Sequence, residues 1–127
     1  MSIGAGADPA AVGEVRTCFA DYEAALSAND VGALVAWFWN DQTVVRFGIG
    51  DLQHGAAELT AWRRTAPPVP ADRRHTRTSF TPAGDDVVVV ALEFVNGDAP
   101  GHGRQSQVWW RTPEGWRIVH AHVSMVD

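Results

Sequence analysis

Residues 73–125 read RRHTRTSFTPAGDDVVVVALEFVNGDAPGHGRQSQVWWRTPEGWRIVHAHVSM. The run breaks at Pro82-Ala83-Gly84-Asp85, Asn96-Gly97-Asp98 and Pro113-Glu114-Gly115, clusters of residues that favour tight turns. Between the turns lie residues 73–81, 86–96, 103–112 and 116–125, rich in Val, Thr, Phe, Ile and Trp, the composition of strands. Four long strands joined by short turns predict an antiparallel meander.

The N-terminal half has a different period. Asp8 caps a helix with Pro9 at its first position, and Val12, Val15, Phe19, Tyr22 and Leu26 recur every three or four residues along one face. Ala28-Asn29-Asp30 stops this helix and starts a shorter one, with Val31, Leu34, Val35 and Phe38 facing inward. Residues 43–48 (TVVRFG) alternate like a strand, and Gly48, Gly50 and Asp51 turn the chain. Residues 55–65 form a third helix, with Ala56, Leu59, Trp62 and Arg63 on one face, ended by Ala-Pro-Pro-Val-Pro at 66–70. Three helices before a run of strands is an α+β pattern, expected as a curved antiparallel sheet backed by helices around a cone-shaped cavity. The 127 residues fit a single domain, with an ordered core over about residues 9–125.

Composition narrows the function. The net charge of −5 argues against nucleic acid and anionic membrane as partners. No apolar run approaches the ~20 residues needed to span a bilayer. The first residues show no basic segment followed by a hydrophobic block, so no signal peptide is expected, and the expected location is cytoplasmic. Cys18 is the single cysteine, which rules out an intrachain disulfide and sits in the helical apolar pattern of a core residue. All ten basic residues are arginine, so every fixed positive charge is a planar guanidinium able to grip a carboxylate bidentately. No Walker loop, GxGxxG, GxSxG, HExxH or paired-cysteine motif is present.

The candidate site residues are polar groups on faces expected to be buried. Tyr22 lies in the core stripe of the first helix, either as an ordinary core aromatic or with its hydroxyl at the pocket. Arg46 shares a face with Val44, opposite Val45 and Phe47, and needs an anion or a carboxylate if that face is buried. In residues 103–110, Arg104, Ser106, Val108 and Trp110 share one face, and Gln105, Gln107 and Trp109 share the other. Strict alternation puts Trp116, Ile118, His120, His122 and Ser124 on one face of the last strand. His120 and His122 lack a third ligand at a suitable spacing, so no metal is expected. Trp109 and Trp110 point to opposite faces, so one sheet side carries an exposed tryptophan, which favours a homodimer.

Phe38-Trp39-Asn40, Val45-Arg46-Phe47-Gly48, Trp62-Arg63, Gly103-Arg104-Gln105-Ser106-Gln107 and the ending Gly115-Trp116-Arg117-Ile118-Val119-His120-Ala121-His122-Val123-Ser124 together resemble the AtzH-like group. That group, also labelled oxalurate-catabolism protein HpxZ, falls within the SnoaL-like (nuclear transport factor 2-like) superfamily. The resemblance implies a homodimeric cone-shaped fold and a role in degrading small carboxylated urea or oxalurate-type compounds beside amidases. One branch of the group acts on dicarboxyurea without a metal, and its pocket tyrosine and arginine match Tyr22 and Arg46. The chain departs from the pattern at His54, Trp62 and His120.

Together these readings give an expectation of metal-free, cofactor-free C–N hydrolysis of a decarboxylating amidohydrolase type on a small anionic substrate. Tyr22 and Arg46 would be catalytic, with a neighbouring guanidinium favouring the Tyr22 phenolate. Arg46, Arg104 and Arg63 would hold carboxylates, while Ser106, Gln107 and His122 orient the amide. The alternatives are a pocket that binds an anion without turnover and an accessory protein of a partner amidase.

Overall fold

A computed structural model describes residues 9–127; the Asp8 cap lies outside the described residues. Helix α1 spans Pro9–Ala28 and buries Val15, Phe19, Tyr22 and Leu26 of the expected stripe, with Val12 half-buried. It ends in a Schellman arrangement. Asn29 takes a left-handed φ of 51°. The Asn29 N–H reaches Leu26 O at 3.2 Å and the Asp30 N–H reaches Ala25 O at 2.9 Å. Asp30 then caps α2 (Val31–Trp37), its Oδ1 accepting from the Ala33 N–H at 3.2 Å. Helix α3 spans Ala56–Thr65 and buries Leu59 and Arg63.

The strands are β1 (Val45–Phe47), β2 (Leu52–His54), β3 (Arg73–Pro82), β4 (Val87–Asn96), β5 (His102–Thr112) and β6 (Gly115–Val126). They form one unclosed sheet in the order β2-β1-β6-β5-β4-β3. The fold class agrees with the sequence: three helices lie over the inner face of the sheet. Two details differ. Strand β2 was not expected, because Leu-Gln-His shows no apolar alternation, and it exists through its pairing with β1. The sheet is also mixed, not purely antiparallel. The meander starts at the far edge with β3 and works back until β6 arrives parallel to β1.

The inner face carries Val88, Val90, Leu92 and Phe94 from β4, Gln105, Gln107 and Trp109 from β5, and Trp116, Ile118 and Ala121 from β6. A β-bulge corrects the expected facing of β6. Trp109 pairs with Ile118 but Val108 pairs with His120, so Val119 has no opposite residue. Beyond the bulge the parity flips: Ala121 turns inward, and His120 and His122 leave the face of Trp116 and Ile118. Their rings pack on the outer side against Phe47, at 5.7 and 5.6 Å between centroids. Trp110 also lies on the outer side but is not bare, because Trp39 meets it edge-on at 5.0 Å.

One carboxylate ties α1 to the sheet edge. Glu23 Oε1 accepts from Arg73 Nη1 at 2.5 Å and contacts His75 Nε2 at 2.8 Å, and its Oε2 accepts from Gln105 Nε2 at 3.3 Å. The Glu23 and Arg73 side chains are 9% and 6% exposed, so removing one partner strands a buried charge. Glu23→Ala should therefore cost about 3–5 kcal/mol of stability. Urea unfolding should show a lower midpoint at unchanged slope, and a shift within experimental error would contradict the role given to Glu23.

Candidate functional site

Between the helices and the inner sheet face lies a cavity of about 430 Å³, with residues 66–70, the proline-rich stretch after α3, along its edge. Its chemistry concentrates at the end where β1, β2 and α3 meet. Strand pairing sets Arg46 beside Gln53, and both side chains turn toward Asp51. Arg46 Nη1 donates to Asp51 Oδ1 at 2.7 Å and to Gln53 Oε1 at 3.0 Å. Gln53 Nε2 donates to the same Asp51 Oδ1 at 2.9 Å. The intervening turn is built for this: a Cβ on Gly48 would fall 2.3 Å from Asp51 Oδ1 and 2.6 Å from Arg46 Nη1. Only a hydrogen leaves room for the pair.

Trp62, on α3, meets two guanidinium groups. That of Arg46 lies 3.9 Å from its ring centroid and that of Arg63 lies 4.4 Å away. The two arginines differ in one respect that matters. Arg46 has Asp51, whereas Arg63 is 5% exposed and forms no salt bridge among the described residues. Burial pulls the Arg63 pKa down, and the Tyr22 hydroxyl beside it is a partial offset. Arginine still keeps its proton in proteins. A buried positive charge with no carboxylate is costly by several kcal/mol, which a bound anion would relieve.

Tyr22 is 4% exposed. Burial raises its pKa above the ordinary value; the nearby Arg63, Arg46 and Arg73 pull it back without cancelling the effect. This corrects the sequence expectation of a phenolate. A guanidinium does favour the ionised form, but the loss of hydration around a fully buried ring outweighs it. Tyr22 is a neutral phenol in this site, suited to donating a hydrogen bond or a proton.

Gln107 forms part of the wall. Its Oε1 accepts from the Trp109 indole N–H at 2.9 Å. Because an indole can only donate, this bond fixes the amide orientation and leaves the Gln107 NH₂ for a pocket occupant. At the other end of the cavity, Arg73, Gln105 and Asn96 add polar atoms, and Asn96 Oδ1 is buried with no hydrogen-bond partner.

The structure thus brings together Tyr22, Arg46, Arg63 and Gln107. His122 also lines the cavity, although its side chain is exposed and its ring packs on Phe47. Arg104 and Ser106 are exposed on the outer face of β5, away from the cavity that Gln105 and Gln107 line. Alternation had already set these pairs on opposite faces, so only one of them could line the pocket. Asp51, Gln53, Arg73, Gln105 and Asn96 were missed. The parity of Gln107 was a usable signal for Gln105, while Asp51 reads in sequence as an ordinary turn residue. Among the described residues, no group of three or more His, Cys, Asp or Glu side chains is placed to hold a metal. No described helix is long and apolar enough to cross a membrane.

The profile of the AtzH-like family matches residues 6–127. A cystatin-like fold protein from Burkholderia xenovorans LB400 is 43% identical, with 94% of each chain covered and a TM-score of 0.89. A protein of unknown function from Pectobacterium atrosepticum SCRI1043 is 39% identical, with 94% of each chain covered and a TM-score of 0.90. A nuclear transport factor 2-like superfamily protein from Salmonella enterica shares the fold at 18% identity, covering 93% of this chain and 92% of its own, with a TM-score of 0.76. No curated protein matches the chain significantly.

Tyr22 is the single tyrosine, so tyrosinate absorbance reports this hydroxyl alone. Its folded pKa lies above the ordinary value of 10.0, so the unfolded chain ionises first as pH rises. The stability this group contributes is complete below the unfolded pKa and falls as pH climbs from there through the folded pKa. The native protein should show no tyrosinate at the pH where the urea-unfolded chain is half ionised. The decline in stability at high pH should be shallower in Tyr22→Phe. Coincident native and unfolded titrations would show that burial does not control this hydroxyl.

Proposed function

The chain belongs to the AtzH-like family, and from that premise we propose that its cavity binds a small carboxylated urea or oxalurate-like anion and hydrolyses a C–N bond in it without a metal. The observation that carries this reading is Arg63: a buried guanidinium that lines the cavity and has no carboxylate partner among the described residues. A substrate carboxylate supplies the missing charge, and the planar fork fixes its orientation. The Gln107 NH₂ supports the substrate carbonyl.

Asp51 is the carboxylate that lines the cavity. Its Oδ1 is held by Arg46 and Gln53, which leaves Oδ2 to take a proton from water. The water oxygen adds to the carbonyl carbon, and Arg46 lies close enough to Asp51 to stabilise the negative charge that develops. As the C–N bond breaks, Tyr22 gives its proton to the departing nitrogen. The proton on Asp51 then returns to the phenolate through solvent. The products are an amine or ammonia and a carboxylic or carbamic acid; a carbamic acid loses CO₂ unaided. A homodimer formed through the outer sheet face and a functional link to an amidase belong to the same reading. Phe47 and Val89, each 36% exposed, offer apolar surface on that side.

A pocket that binds without turnover is the competing reading, favoured by the lack of a side-chain nucleophile paired with a base among the polar groups described above. Ammonia release from oxalurate and a panel of carboxylated ureas separates the two. Tyr22→Phe keeps the ring and removes the acid, so kcat should fall about 10²–10⁴-fold with a smaller change in KM. If the wild type releases nothing above the buffer rate from any of them, the hydrolase reading fails and binding alone remains.

A further inference from the structure

We propose that the outer sheet face pairs with a second copy of this chain only while three histidines on it, His54, His120 and His122, are neutral, so that acid separates the two copies. The inference rests on the homodimer included in the reading above and adds the condition under which it holds.

The sequence departs from the family pattern at His54 and His120, and the structure brings both to one place. Strand β1 lies between β2 and β6, with Val45 opposite His54 on one side and His120 on the other. Phe47, two residues on, lies opposite His122. All three imidazoles surround the Phe47 ring, at 6.5, 5.7 and 5.6 Å between centroids. His54 and His122 are exposed and His120 is half-buried. Among the described residues they are not placed to hold a metal, and the proposed hydrolysis uses none of them.

The face itself points to a second copy. The three helices lie over the inner side, while the outer side keeps Leu52 58% exposed and Phe47 and Val89 36% exposed. Strands about 4.8 Å apart that rise about 3.3 Å per residue give this sheet a face of roughly 700 Å². Each partner in a stable interface contributes ~800 Å². The fixed charges at the centre of the face are matched within the chain, because Glu93 stands in register between Arg77 and Arg104.

A two-fold interface presents every group twice. In the free chain a protonated imidazole is hydrated; between two copies it would lose that water and meet the imidazoles of the partner. The nearby carboxylates offset little. Glu58 accepts from the His54 backbone N–H at 2.9 Å, and Asp41 is held by Thr43. Both lie at the His54 end. Strand β5 sets Val108 opposite His120 and Ser106 opposite His122, and the next charged group along it is Arg104. Arg117 on β6 and Arg74 on β3 are further cations, and Arg46 and Asp51 turn toward the cavity. The separated chains therefore bind more protons than the pair, and the pair weakens as pH falls through the histidine range of about 8 to 5.

Sedimentation velocity over a dilution series, at one ionic strength, gives the dimer dissociation constant at about pH 8 and about pH 5.5. The wild type should be dimeric at the higher pH and at least about tenfold weaker at the lower. Replacing His54, His120 and His122 together by Gln keeps polar side chains without the charge, and this dimer should hold equally at both pH values. Singly, His54→Gln and His120→Gln should each shrink the shift, which keeps the test sound if the triple variant fails to pair. Leu52→Asp should be a folded monomer at both. An unchanged wild-type constant overturns the proposal, as do a full shift in the triple variant or in both single ones and a Leu52→Asp dimer of wild-type strength. Loss of native circular dichroism at the lower pH overturns it too, since acid would then act on the fold and not on the interface. A wild type that is monomeric at about pH 8 sinks the homodimer reading as well, while the cavity chemistry stands.

Discussion

Moving a guanidinium out of water costs several kcal/mol unless a counter-charge and hydrogen bonds replace the lost hydration, and Arg63 sits in the interior without the counter-charge. Much of the surrounding arrangement follows from that constraint. The flat face of Trp62 offers electron density to the cation, and the Tyr22 oxygen sits beside it. Neither replaces a carboxylate. The fold could have solved the problem by placing Asp51 on Arg63, but Asp51 is held on Arg46 by the short β1–β2 hairpin and by Gln53. The remaining charge is left at the cavity wall, where a small anion can reach it. Stability is given up at this position, and the remaining interactions have to make up for it.

The Glu23 network is where the fold compensates. Glu23 joins α1 to β3 and β5 through Arg73, His75 and Gln105, so the helix carrying Tyr22 is fixed against the sheet one residue away from the phenol. Packing adds to this, with Tyr22 meeting the Phe38 ring edge-on at 6.2 Å. A phenol held at this angle and kept dry stays protonated. The same burial that keeps the site neutral at Tyr22 keeps the Arg63 charge strong, because few water molecules remain to screen it. Rigidity and electrostatics here have one cause.

How much of this the sequence reveals depends on the range of the interaction. Helix periods and strand turns are local, and the helix stops at Asn29 and the turns at Gly84 and Gly97 read directly from neighbouring residues. The α1 stripe through Val15, Phe19, Tyr22 and Leu26 is equally local, which is why Tyr22 was legible as an inward group. Arg46 and Arg63 were legible as residues of apolar faces. Strand parity is not local in the same way. Residues 103–110 show that Arg104 and Gln105 face opposite ways but do not show which way is in; that depends on β4, where Val88, Val90, Leu92 and Phe94 choose the inner face. The bulge opposite Val108 and Trp109 is a property of two strands at once, so alternation along β6 alone misplaced His120 and His122.

Asp51 shows the same limit in its sharpest form. In sequence it is one acidic residue in a glycine-rich turn, and carboxylates in such turns ordinarily face water. Its role appears only after three separate facts are joined. Strand β1 pairs with β2, which brings Gln53 beside Arg46. Strand β6 lies parallel to β1, with Ala121 opposite Arg46, so a small side chain leaves space on that flank. Helix α3 then lays Trp62 against the guanidinium. Each contact alone would be unremarkable on a protein surface. Closed together, they turn a turn residue into half of an ion pair within the cavity wall, and they determine which arginine is left unmatched. The charge that a ligand meets is therefore fixed by the topology of the sheet rather than by the number of arginines in the chain.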